Sequence, residues 1–213
     1  IPSRLVGSEM CIRDSLLNRS FKVQNSHRVL FHAAAGGVGL IAGQWLKYIG
    51  AESIGTVGSD DKIKLAKDAG YDHVINYNKS NFVEEVARIT GGIGVDVAYD
   101  SVGQATYPHT LSCLKKFGLF VSFGQSSGII KDIAMGDLAK NGSLYAQRPT
   151  LFDFISSKES LKQVSENMFK MLAEGHVKMH INQRYALKDV PKAFEMLMAR
   201  KTTGATVFDV GRG

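Results

Sequence analysis

Cysteine is scarce in this chain, and its scarcity rules out several classes of protein. Two cysteines in 213 residues, Cys11 and Cys113, cannot build a disulfide framework or a cysteine-rich zinc cluster. They fit a reducing compartment, so a cytoplasmic location is expected. The histidines at 27, 32, 73, 109, 176 and 180 include no H-x-x-x-H pair with carboxylate company. His176 and His180 have the right spacing, but the sequence around His180 is strand-like and argues against a shared helical face. Each histidine is expected to be structural or superficial rather than a metal ligand. No run of five like charges occurs, and the basic residues are not interleaved with aromatics, so the net charge of +6 does not require nucleic acid. It would suit an anionic ligand. Val29 to Leu46 carries no formal charge, yet glycines, His32 and Gln44 interrupt it, so a membrane span is set aside. No Ser-His-Asp or Cys-His arrangement and no acid–base carboxylate pair stands out, so no catalytic residue is assigned.

What remains is an ordinary globular composition, 44% hydrophobic and 22% charged, long enough for one substantial core or one domain with pieces of another. The informative stretch is Arg28 to Ile49, RVLFHAAAGGVGLIAGQWLKYI. A short apolar run, Val29 to Phe31, is broken by small residues. Then Val38, Ile41, Trp45 and Ile49 recur at helical spacing on one face. Strand, glycine turn and helix form a setting that holds a dinucleotide pyrophosphate. The helix N-terminus offers unpaired N–H groups and partial positive charge, and missing side chains let the backbone approach. The match to G-x-G-x-x-G is Ala34-x-Gly36-x-x-Gly39, with alanine in the first place. No Lys-Ser/Thr pair follows Gly39, which disfavours a nucleoside-triphosphate loop. The alternative is a tight turn that only packs a helix on a sheet.

From Leu16 onward, strands and helices alternate. Strands are expected at Glu52–Val57, His73–Ile75, Val95–Asp100 and Gly118–Phe123. Helices are expected around Asp60–Ala69, Asn81–Ile89, Gln104–Leu114 and Lys158–Ala173. This order predicts an α/β, doubly wound parallel sheet of Rossmann-like type. Ligands in such sheets lie at the carboxyl ends of strands, where Gly36, Gly58, Ser101 and Phe123 fall. The helix Lys158–Ala173 should turn Leu161, Val164, Met168, Met171 and Leu172 toward core. Cys113, placed mid-helix, is expected to be a buried structural thiol. The tail reads strand Val177–Tyr185, helix Val190–Arg200 and strand Ala205–Val210. Residues 1–15 fit nothing downstream. The string GSEMCIRDS resembles translated sequencing-adaptor sequence, so an artefactual extension is expected there.

The motifs VLFHAAAGGVG, INY, YDSVG, VSFGQSSG and ARKTTGATV, in this order and spacing, resemble the zinc-independent quinone oxidoreductases of the medium-chain dehydrogenase/reductase family, zeta-crystallin among them. The resemblance runs from about Leu16 to the end. It implies a dinucleotide-binding domain over 16–176. It also implies that 177–213 is the returning helix and strands of a GroES-like domain whose main part precedes this stretch in the family. Tail positions such as Val177, Ile181, Tyr185, Ala193, Phe194, Met196, Leu197, Val207 and Phe208 are then expected to lose burial.

The resemblance further implies NADPH as cofactor, NADH being less favoured, and a quinone or other α,β-unsaturated carbonyl as acceptor without zinc. The intact parent is expected to be a homodimer. Gly36, Gly37, Val38 and Gly39 would cradle the pyrophosphate. After the second strand, Gly58 and Ser59 stand where an NAD-specific fold would place an acidic residue on the ribose. Lys62 and Tyr77 match residues near the 2′-phosphate end, although a solvated lysine and a strand-end aromatic are the plain alternatives. Ser101 and Val102 would line the nicotinamide side. Phe123, Gly124, Gln125 and Ser126 match the loop over the nicotinamide and its ribose, with Phe123 fitting core equally well. Arg200 matches an arginine near the cofactor phosphate. A binding module without turnover is the competing expectation, because half of the family's substrate cleft lies outside this stretch.

Overall fold

A computed structural model describes residues 12, 15–179, 181–199 and 201–211. Six strands, β1 (Arg28–Phe31), β2 (Glu52–Val57), β3 (His73–Asn76), β4 (Val95–Asp100), β5 (Leu114–Ser122) and β6 (Tyr145–Gln147), form one sheet in the order β3-β2-β1-β4-β5-β6. Every neighbouring pair is parallel. The order runs outward from β1 to β3 on one side and from β4 to β6 on the other. The chain therefore reverses its winding between β1 and β4, and a crevice opens there at the carboxyl ends. The doubly wound sheet expected from sequence is the one observed.

Burial on both faces explains why the central strands read as continuous apolar runs rather than alternating ones. Val29, Phe31, Val97 and Tyr99 enter one core with Leu40, Ile41, Trp45 and Leu46 of α1 (Gly37–Ile49). Leu30, Ile54 and Ala98 enter the opposite core with Val86 of α3 (Phe82–Thr90) and Leu111. Between these lies α2 (Asp61–Asp68), whose Ala66 is buried. Leu16 and Leu17 are fully buried in the first core, and the Tyr99 hydroxyl donates to the Leu16 carbonyl at 2.8 Å. Ile12 and Ser15 aside, the expectation for residues 1–15 lies outside the described residues.

The local signals that end helices act as expected. Gly50 and Gly91 close α1 and α3 in the left-handed conformation, and the Asn81 side chain caps α3 by accepting from Val83 N. Three helices follow β5 before the tail: the short α4 (Met135–Lys140) and, beyond β6, α5 (Leu151–Phe154), then α6 (Lys158–Ala173). Val164, Met168 and Met171 of α6 are buried, whereas Leu161 is exposed.

One helix expected from sequence is not formed. Gln104–Leu114 is a series of turns with a 3₁₀ turn at His109–Cys113. Pro108 brings no N–H to a helix interior, and two threonines bond locally instead. Thr106 Oγ1 donates to Asp100 Oδ2 at 2.6 Å, and Thr110 Oγ1 to the Thr106 carbonyl at 3.1 Å. Cys113 thus ends a 3₁₀ turn rather than sitting mid-helix. It is buried all the same, and burial pushes its thiol up to about 12.

The tail forms a separate two-stranded parallel sheet, β7 (Ile181–Ala186) with β8 (Ala205–Asp209), flanked by α7 (Val190–Met198). It docks on the main body at two places. Gln44 accepts from Lys178 N at 2.7 Å and donates to the Lys178 carbonyl at 3.1 Å, while Gly204 N donates to the Ala35 carbonyl at 3.2 Å. Burial in the tail is uneven. Val177 and Ala193 are buried, Tyr185, Met196, Val207 and Phe208 are half-buried, and Ile181, Phe194 and Leu197 are exposed. No helix among the described residues is long and apolar enough to cross a membrane.

Candidate functional site

The site is assembled where β1, β2, β3, β4 and β5 end. After β1 the backbone bends at Ala33, which adopts a left-handed φ of 56°, and Gly36 N closes the turn onto the Ala33 carbonyl at 2.9 Å. Gly36 caps α1 without any side-chain hydrogen bond, and the first intrahelical donor is Leu40 N, to the Gly36 carbonyl. The amides of Gly37, Val38 and Gly39 are therefore the leading donors of the helix, at its electropositive end. The two outer glycines of the motif have different duties. A Cβ on Gly39 would lie 2.5 Å from the Ala33 oxygen and 2.6 Å from the Ala34 oxygen, so this residue lets helix and turn touch. A Cβ on Gly36 would meet only the Ala33 oxygen, at 3.2 Å. Gly36 faces open space; Gly39 is buried.

After β2 comes Gly58, where a Cβ would fall 2.6 Å from the Tyr77 hydroxyl. Tyr77 can approach the end of β2 because that side chain is missing. Asn78 Nδ2 donates to the Gly58 carbonyl at 2.6 Å and fixes the same corner. Asp60 lies nearby, but its carboxylate is taken up by Lys79 and by Asn76 Nδ2, the latter at 2.7 Å. Hydrogen bonds from Lys79 and then Asn76 hold its pKa below the ordinary carboxylate value. Its negative charge is thereby paired beside the cleft rather than presented to it.

Asp100 ends β4, fully buried, and organises the next wall. Its Oδ1 accepts from Val102 N at 2.6 Å and from Gly103 N at 3.1 Å. Its carbonyl accepts from Phe123 N at 2.8 Å, and the Ser101 carbonyl accepts from Ser126 N at 3.1 Å. The turns after β4 and β5 are therefore stitched together.

These ends enclose a cleft of about 440 Å³, within the usual range for small-molecule sites. Of the residues singled out from sequence, Gly36, Gly58, Ser59, Lys62, Tyr77, Val102 and Ser126 line it. The others are placed differently. Gly37 opens into an adjoining pocket with Phe194 and Phe208, and Val38 is half-buried in the first turn of α1. Ser101 is half-buried beside the cleft, and Gly124 and Gln125 line a separate cavity with Arg148. Phe123 packs its ring 5.6 Å from that of Phe31, taking the core alternative for its side chain. Arg200 lies outside the described residues. Sequence reasoning missed Asn78, next to Tyr77, and also Leu197, Ala199 and Thr202. The first could have been read from adjacency. The tail residues reach the cleft because the tail folds back, with Gly204 beside Gly36, a contact with no local sequence signature. Among the described residues, no three His, Cys, Asp or Glu side chains come together to hold a metal.

A parallel sheet wound both ways, with a glycine turn and helix N-terminus at its switch point, defines a Rossmann-like domain. Residues 37–173 match the family described as zinc-binding dehydrogenase, and the chain belongs to that family. Two curated relatives show the neighbourhood within it. The quinone oxidoreductase of Salmonella typhimurium is 48% identical over 194 residues, covering 90% of this chain and 59% of that protein. The 2-haloacrylate reductase of a Burkholderia species is 36% identical over 193 residues, covering 90% of this chain and 58% of that protein. Among solved structures, Escherichia coli quinone oxidoreductase complexed with NADPH superposes with a TM-score of 0.92 at 43% identity. That match covers 95% of this chain and 63% of that one. The chain thus spans about three fifths of the length of these relatives. The family resemblance read from the motifs is borne out.

Proposed function

We propose that the chain binds NADPH in the cleft at the switch point and is the cofactor-holding part of a reductase acting on quinones or related α,β-unsaturated carbonyls. The observation that carries this reading is the convergence of Gly36, Gly58, Ser59, Lys62, Tyr77, Val102 and Ser126 on one cleft, from five separate segments of chain. The residues present fit the cofactor. The bare Cα of Gly36 and the leading amides of α1 suit the pyrophosphate. The end of β2 presents Gly58 and Ser59 where an acidic side chain would repel a 2′-phosphate, Asp60 is ion-paired with Lys79, and Lys62 brings positive charge to the wall. The relatives support NADPH and the acceptor class, since one solved neighbour is described as complexed with NADPH and others are named for quinones or 2-haloacrylate.

When bound, NADPH supplies a hydride, and the chain's own residues bind, orient and shield it. Val102 and Ser126, on the stitched turns after β4 and β5, form the wall expected on the nicotinamide side. The tail residues Leu197, Ala199 and Thr202 line the same cleft. We assign residues 16–176 to the dinucleotide-binding domain and 177–213 to the substrate-side portion, and take a homodimer in a reducing, cytoplasmic setting as the working assembly. No nucleic acid or membrane is needed.

Fluorescence titration of the purified chain with NADPH and NADH tests the cofactor. Saturable binding with NADPH preferred supports the reading, and no saturation by either nucleotide defeats it. NADPH oxidation with a small quinone separates two outcomes. Turnover supports a competent reductase. Binding without turnover supports a cofactor module, a second reading favoured by the three-fifths span of its relatives.

A further inference from the structure

Beneath the cleft, and lining none of it, lies a buried polar relay centred on His32. The residue directly follows β1 and is fully buried, and its backbone N donates to the Tyr99 carbonyl at 2.9 Å. Both ring nitrogens have partners: Nδ1 is 2.9 Å from Thr56 Oγ1, and Nε2 is 3.0 Å from Thr110 Oγ1. The ring stands edge-on to Phe82, with centroids 5.2 Å apart. With the single proton of the Thr110 hydroxyl directed to the Thr106 carbonyl at 3.1 Å, Thr110 Oγ1 accepts from Nε2–H. Nδ1 is then the acceptor, and the Thr56 hydroxyl donates to it. In this neutral form every polar atom of the ring is satisfied. Burial lowers the histidine pKa, and the negative charge of Asp100, the charged group acting on it, opposes that shift.

The relay continues to both walls of the cleft. On one side Thr56 lies in β2 immediately before Val57, Gly58 and Ser59, all of which line the cleft. On the other, Thr106 follows Thr110 in the same chain of contacts, and its hydroxyl donates to Asp100 Oδ2 at 2.6 Å. The second oxygen of Asp100 holds the amides of Val102 and Gly103. The path Thr56–His32–Thr110–Thr106–Asp100 therefore joins the end of β2 to the turn after β4 by hydrogen bonds at 2.6 to 3.1 Å.

We propose that His32 is a positioning residue, which through Thr110, Thr106 and Asp100 fixes the spacing of the two cleft walls and so preorganises cofactor binding. The consequence for binding rests on the NADPH reading above; the positioning of the Val102–Gly103 turn does not. Thr110→Val keeps shape but leaves the buried Nε2–H without its acceptor, whereas Thr110→Ser restores the hydroxyl. In the 213-residue chain, Thr110→Val is expected to speed amide hydrogen exchange at Val102 and Gly103. It should also weaken NADPH binding roughly threefold to tenfold, and Thr110→Ser should recover both. A folded Thr110→Val variant with wild-type protection at those two amides overturns the proposal. If that variant does not fold, nitrogen NMR of the wild-type His32 ring decides. A neutral ring protonated at Nε2, resisting protonation below the ordinary histidine range, supports the relay. An Nδ1–H tautomer, or titration at the ordinary histidine value, overturns it. Failure of the wild-type chain to bind NADPH defeats the cofactor reading alone, because exchange and ring protonation still decide the relay.

Discussion

The sharpest perturbation is a single methyl group on the last glycine of the turn. In Gly39→Ala the new carbon would sit 2.5 Å from the Ala33 oxygen, 2.6 Å from the Ala34 oxygen and 2.7 Å from the Ala34 carbonyl carbon, all of them backbone. Relief requires the nearest contact to open to 3.4 Å, where ordinary packing begins, and no flexible side chain can give way. Only a retreat of α1 from the turn will do that. The helix cannot retreat freely, since it buries Leu40, Ile41, Ala42, Trp45 and Leu46 against the sheet. Overpacking of this kind costs about 1–3 kcal/mol, and three backbone clashes place it at the upper end. Alanine's better helix propensity returns less than about 1 kcal/mol in a first turn. A net loss of about 2 kcal/mol lowers the melting temperature of a chain this size by about 4–8 °C. Gly36→Ala is the matched control, because its one new contact is at 3.2 Å and its neighbourhood is otherwise open. It should melt within about 2 °C of the parent, by the same scaling, yet bind NADPH more weakly because the methyl stands on the cleft wall. Calorimetric melting with a nucleotide titration on each variant is the assay. Equal melting temperatures for the two variants, or unchanged NADPH affinity in Gly36→Ala, would refute this division of labour.

Three further outcomes are expected. Lys62→Ala should weaken NADPH about tenfold while changing NADH little, with the difference shrinking at high salt; parallel titrations at two ionic strengths check this. Tyr71→Phe removes the buried hydroxyl that donates to the Gly39 carbonyl at 2.9 Å and should cost about 1 kcal/mol in urea denaturation. The acid dependence follows from His32. Its native pKa lies below the ordinary 6.5, so the unfolded chain takes up a proton that the folded chain refuses. The resulting stability is fully present above the ordinary value and is lost as pH falls from there toward the native pKa, by at most about 1.4 kcal/mol per pH unit. Urea denaturation at a series of pH values should show this slope in the parent and a shallower one in His32→Gln. Parallel slopes would exclude His32 as the source.

Where burial imposed a clear pattern, sequence and structure agree to the residue. β2, β4 and α6 occupy the spans expected from their apolar residues, because their neighbours on the folded body demand that pattern. Disagreement begins where local polar chemistry competes. Gln104–Leu114 has helical-looking composition, but Pro108 and two threonines turned toward Asp100 and each other take it out of the helix. β5 starts at Leu114 rather than Gly118, and it carries Lys115, Lys116 and a left-handed Phe117 where alternation gives no guidance. β6, three partly polar residues on the rim of the sheet, has too short a pattern to notice. The same divide runs through the candidate site. Residues just past a strand end, such as Gly58, Ser59 and Val102, could be placed on the cleft from chain order alone. Leu197, Ala199 and Thr202 reach it only because a distant segment folds back. Phe123 shows a further limit, since adjacency to a strand end does not say which way a ring will turn.

The contact between Gly204 and Ala35 has a kinetic consequence. The entry to the last strand and the glycine turn share one backbone joint, so under the proposed reading a nucleotide seated on that turn is expected to leave faster when the C-terminal segment lifts. A covalent tie between the two would lengthen residence time and slow entry equally, leaving the equilibrium almost where it was.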